Sequence, residues 1–72
     1  MRTDRKNIFE QYYAEFAKGI FRFIYIKVSD YELAKDLTAD VFVRVWKVIQ
    51  KDTKLDNPKA FIFRVAYGIV ID

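Results

Sequence analysis

Two carboxylates, Asp36 and Asp40, stand four residues apart in the stretch AKDLTADVFVRVWK, residues 34–47. On a helix that spacing puts them one turn apart on the same side. A pair of this kind can work as a general acid and base, hold a divalent cation, or present negative charge to a basic partner. Acid–base work needs burial or a charged neighbour to shift the pKa values, and a metal needs further ligands. The face around the pair carries Ala39, Val43 and Lys47, and the whole chain has no histidine and no cysteine. Imidazole bases, thiol nucleophiles, disulfides and ordinary zinc sites are thereby excluded. There is also no glycine-rich phosphate loop and no nucleophile elbow. The chain therefore reads as a non-enzyme with no metal and no cofactor. Stacking two acids costs an isolated helix a few tenths of a kcal/mol. Set beside an exposed Val43 in a net-positive chain, the pair reads as a docking surface for a basic partner. A plain solvated face, with Asp40 paired to Arg44, is the competing reading.

A second group combines cations and rings. Lys51, Lys54, Lys59 and Arg64 straddle a short polar segment, and that spacing suits phosphate contacts. Ordinary solvated charge is the competing reading, with Arg64 paired to one of the two aspartates. Phe42, Trp46, Phe61 and Phe63 have the ring type that stacks on unpaired bases. Core filling in a small domain accounts better for Phe42, Trp46 and Phe61. Phe63 and Tyr67 lie off the main apolar stripe and stay open between the two roles.

Three helices are needed to position these groups. Ile8, Tyr12, Phe16, Ile20, Phe23 and Ile24 follow helical spacing and predict a first helix from about Asn7 to Val28. Gly19 within it marks either a close approach by another helix or a slight bend. Ser29-Asp30-Tyr31-Glu32 has capping-box spacing, with Ser29 as the cap of a second helix running to about Gln50. Its predicted core stripe is Leu33, Leu37, Val41, Val45 and Val48, widened by Ala34, Phe42, Trp46 and Ile49. Asn57-Pro58 opens a third helix, asparagine as cap and proline at the first helical position. Phe61, Ile62, Val65, Ala66 and Ile69 form its stripe.

The composition fits one small all-α domain. Its 72 residues are 53% hydrophobic and 18% aromatic, ample for a core and too apolar for disorder. Two glycines and one proline leave few turns. Thirteen basic residues against ten acidic give a net charge of +3, compatible with nucleic acid but too small to argue for it alone. The start, MRTDRKN, shows no secretory signal, and the most apolar window, from Gly19 to Val28, is interrupted by Arg22 and Lys27 and too short to span a bilayer. A reducing cytoplasm suits a chain without cysteine. No repeat, low-complexity tract or interdomain linker is visible.

The stretch AKDLTADVFVRVWK resembles the region 2.2 pattern of extracytoplasmic-function (ECF) sigma factors, usually DLTQEVF followed by an aromatic residue. NPKAFIFRVAYGIVID, from Asn57 to Asp72, is similar to the region 2.3–2.4 pattern, an apolar-aromatic run before an arginine, a small residue and an Ile-Asp ending. Upstream, FEQYYAEFAKGIFRFIYIKV is similar to the family's less specific first helix. The resemblance implies a compact three-helix domain 2, of the sigma-70 region 2 kind, spanning residues 1–72. It further implies docking on the clamp helices of the polymerase β′ subunit and capture of the unpaired non-template strand at the promoter −10 element. Carried over, Asp36, Thr38, Asp40, Val43 and Lys47 face the polymerase. Lys51, Lys54, Asp56, Asn57, Lys59, Phe63, Arg64, Tyr67 and Gly68 lie at DNA. An anti-sigma factor is an open further partner, a membrane is not a partner, and the bacterial cytoplasm is the implied compartment. The family's helix-turn-helix domain is absent, so the chain reads as a fragment without −35 recognition. Two residues depart from the pattern. Ala39 replaces the usual glutamine before Asp40, itself an aspartate where glutamate is commoner. Gly68 stands where asparagine is frequent, so any contact there comes from backbone. The competing functions are a helical protein-interaction module that never touches nucleic acid, and a general single-strand binder. Binding of core polymerase separates the sigma reading from both.

Overall fold

The computed structural model describes residues 2–51 and 55–71, with the side chains of 4–51 and 55–71. Three helices follow in order: α1 at Arg2–Val28, α2 at Tyr31–Lys51 and α3 at Pro58–Ile71. No strand occurs among the described residues. The molecule measures 39 × 17 × 15 Å. Its long dimension is α1 itself, since 27 residues at 1.5 Å each span about 40 Å. The α1 helix starts five residues before the expected Asn7. Asp4 lies in its first turn, where a carboxylate favours the exposed N–H groups of a helix end.

The α1–α2 turn corrects the predicted cap. Ser29 is not the cap of α2 but the end of α1. Its φ is +56° and its N–H donates to the Tyr25 carbonyl at 2.8 Å, the left-handed closure of a helix C-terminus. Asp30 is the cap: its Oδ1 accepts the Leu33 N–H at 3.0 Å, and its carbonyl takes the first helical bond, from Ala34. Glu32 cannot reach back from the second helical position. It pairs with Lys35 at 3.7 Å instead. Two caps share two residues here, so the register moves on by one. The cap of α3 is as expected, with Asn57 Oδ1 accepting the Ala60 N–H at 3.1 Å ahead of Pro58.

The core follows the same shift. Ala34, Thr38, Val41, Phe42, Val45 and Ile49 are the buried residues of α2. Leu33, placed in the stripe by spacing, is 43% exposed, and Leu37 and Val48 are only half-buried. Beside a two-residue connection the α1 and α2 backbones run close, and a small inward residue at position 34 suits that gap. From α1, Tyr12, Phe16, Ile20 and Ile24 enter the core, joined by Ile62 and Ala66 from α3. Every pair of helices is in contact, so each covers the apolar stripe of the other two. Phe63 lies with its ring at the backbone of Gly19, where an added Cβ would stand 3.6 Å from its Cζ. That distance is an ordinary contact, so an alanine would fit there and no close helix approach requires the glycine. None of the described helices is long and apolar enough to cross a membrane.

Candidate protein and nucleic-acid interfaces

The outward side of α2 exposes Asp36, Ala39, Asp40, Val43, Arg44 and Lys47. Val43 is 51% exposed, a branched apolar side chain between charges. No ion pair joins Asp40 to Arg44 among the described residues, and neither carboxylate has a described salt-bridge partner, although Arg44 and Lys47 share their face. Thr38 departs from the face assigned to it. It is buried at 9% exposure, and its Oγ1 donates to the Ala34 carbonyl at 2.7 Å. A threonine two positions after Asp36 points about 200° away from it on a helix, which turns it towards α1, where it lines a second open groove with Tyr13, Ala17, Phe21 and Ala39.

Beside the acidic edge runs a feature that the sequence reading missed. An open groove of about 590 Å³ is lined by Phe9, Tyr13, Phe42, Trp46, Ala39 and Val43, with Lys6 and Glu10 at its rim. Four rings build its floor. Phe9 meets Trp46 edge-on at 5.2 Å and Phe42 at 6.3 Å, and Tyr13 meets Phe42 at 4.9 Å. No α3 residue lines it. The available signal was the pair of i,i+4 aromatic steps, Phe9–Tyr13 and Phe42–Trp46, on helices joined by a tight turn. The absence of glutamine at position 39 has a structural consequence: alanine leaves the groove wall low and apolar.

The candidate nucleic-acid side is built differently. Lys51 is exposed at the end of α2, and Asp56, Asn57 and Lys59 are exposed around the start of α3. Lys54 lies outside the described residues. The oxygen of Asn57 is engaged as the α3 cap, which leaves its amide NH2 to meet a ligand. Along α3, Arg64, Tyr67 and Gly68 share one outward face, with Tyr67 55% exposed and open space around the Cα of Gly68. No described ion pair ties Arg64 to Asp36 or Asp40. Phe63 is not part of that face. It is half-buried, edge-on to Phe23 at 5.8 Å and packed towards Gly19 of α1. Of the two rings left open between core and surface, Tyr67 is the exposed one and Phe63 the half-buried one.

An apolar aromatic groove on α1 and α2, and an exposed α3 face bearing Arg64 and Tyr67, are two distinct surfaces among the described residues. A family model for sigma-70 region 2 matches residues 8–72, and the chain belongs to that family. No curated protein and no solved structure matches it. Sigma-70 region 2 is a domain of transcription initiation and not an enzyme family, and it ties the chain to core RNA polymerase and promoter DNA.

Proposed function

We propose that this chain is domain 2 of an ECF sigma factor acting in the bacterial cytoplasm. Its α2 face docks on the clamp helices of the polymerase β′ subunit. Its α2–α3 connection and α3 take up the unpaired non-template strand of the −10 element. The observation that carries this reading is the unpaired Asp36–Asp40 edge beside the aromatic groove. Together they match an amphipathic helical partner whose apolar ridge fills the groove while its basic residues meet the two acids. The ordered motifs AKDLTADVF and NPKAFIFRVAYGIVID support the ECF assignment.

A pull-down against bacterial core polymerase tests it. Asp36→Lys with Asp40→Lys should abolish binding and leave the fold within a few tenths of a kcal/mol of its original stability, about the size of one helical charge pair, since the variant breaks no described contact and exchanges one like-charge pair for another. Undiminished binding by the double variant would reduce the acids to a solvated face. A second reading, a protein-interaction module without nucleic acid, draws on the packed ring of Phe63 and the engaged oxygen of Asn57. Polymerase binding without any affinity for single strands would favour it.

A further inference from the structure

Leu55, Asp56 and Asn57 join the end of the α2–α3 connection to α3, and the hydroxyl of Tyr12 on α1 lies beneath them. Tyr12 is 9% exposed, its ring set among core residues and tilted against Phe16 at 6.4 Å. Its hydroxyl oxygen accepts the Leu55 backbone N–H at 3.4 Å, across 43 positions of sequence. The side-chain hydrogen bonds of Asp30, Thr38 and Asn57 close within three or four positions. Leu55 lies in irregular backbone, outside both neighbouring helices, so its N–H has no helical acceptor. It is also half-buried, where losing a partner is costly. Phenylalanine would fill the same core volume, and tyrosine adds an acceptor at the point where the connection passes.

We propose that Tyr12 is a positioning residue for strand capture. Through the Leu55 N–H it fixes the height of the connection over α1, and so the place where Asp56, Asn57 and the start of α3 meet the unpaired strand. The role rests on the strand-capture reading above. It needs no contact between Tyr12 and DNA.

The test is Tyr12→Phe in the full chain, with Ile24→Val as a core-weakened control at a buried α1 position remote from Tyr12. Three quantities are measured: amide hydrogen exchange residue by residue, anisotropy with a fluorescein-labelled single-stranded DNA pool of random sequence, and binding to core polymerase. In Tyr12→Phe the Leu55 amide should exchange at least about threefold faster, and single-strand affinity should fall about three- to tenfold, the size of one lost hydrogen bond. Polymerase affinity should stay unchanged, and Ile24→Val should keep its DNA affinity. Unaltered exchange at Leu55 overturns the tether. Faster exchange with unaltered DNA affinity, or an equal loss in Ile24→Val, overturns the positioning role. If the unsubstituted chain holds no single strand, strand capture itself fails and the positioning role falls with it. The exchange data then still decide whether the tether exists.

Discussion

Gly19 and Thr38 show how much one side chain decides in a domain this small. Gly19 is a helix-interior glycine with ordinary φ, so it carries the usual entropic penalty and gains nothing from conformational freedom. A Cβ there would meet Phe63 Cζ at 3.6 Å, an ordinary contact. Gly19→Ala should therefore stabilise the fold by about 0.5–1 kcal/mol, read as a higher urea midpoint at unchanged slope. A lower midpoint would mean that the Phe63 ring sits closer to the α1 backbone than described. Thr38 makes the complementary case. Its hydroxyl bonds to a carbonyl inside its own helix, an arrangement of little net worth. Thr38→Val keeps the shape and should change stability by no more than about 0.5 kcal/mol. Affinity for core polymerase should also be unchanged in a titration of the variant. A clear loss of affinity would restore Thr38 to the docking face.

At the scale of the elements, the α1–α2 turn is the most exacting segment. One residue ends a helix in the left-handed region and the next begins another, with no residue between them to absorb error. Substitutions at the two positions should have opposite signs. Ser29→Gly removes the Cβ that the positive φ disfavours, and should stabilise by about 0.5–1 kcal/mol. Asp30→Ala removes the acceptor for Leu33 and should cost about 1 kcal/mol. Thermal melts of both variants decide the assignment. Were Ser29 the cap of α2, the first substitution would cost a few tenths and the second almost nothing. The placement of the docking surface depends on this turn, because the phase of α2 set at Asp30 determines which residues line the groove. A slip of one position would carry Val43 towards the core side and Val41 out of it.

For the molecule as a whole, the proposed polymerase and DNA faces lie on different helix combinations. Net charge limits what the DNA face does alone. With +3 overall, few phosphates are neutralised, and non-specific duplex affinity scales with that number. The described cations Lys51, Lys59 and Arg64 are exposed on α2 and α3, and Arg64 shares a face with the exposed ring of Tyr67, suited to an opened strand more than to a groove of intact duplex. The domain should bind a single strand weakly but detectably and duplex poorly, in anisotropy at two salt concentrations. Tight duplex binding with a steep salt slope and no preference for the single strand would overturn this.

What the sequence by itself determined is local in origin. Helix number, the Asn57-Pro58 start of α3, the all-α class and the ordered motif pair follow from side-chain periodicity and from contacts within a few residues. The same periodicity put Asp36 and Asp40 on one side of α2. It could not place a stripe to better than one residue, because a helix that packs on two neighbours at once has a wide apolar arc and no single seam. That is why Leu33 is expected inside; the outward placement of Thr38 came from the family resemblance, not from periodicity. Three features were decided only by the tertiary structure: the groove shared by Phe9, Tyr13, Phe42 and Trp46, the burial of Phe63 at Gly19, and the reach of Tyr12 to Leu55. Each joins residues far apart in the chain, and their meeting depends on the angle and depth at which the three helices pack, which no spacing within one helix encodes.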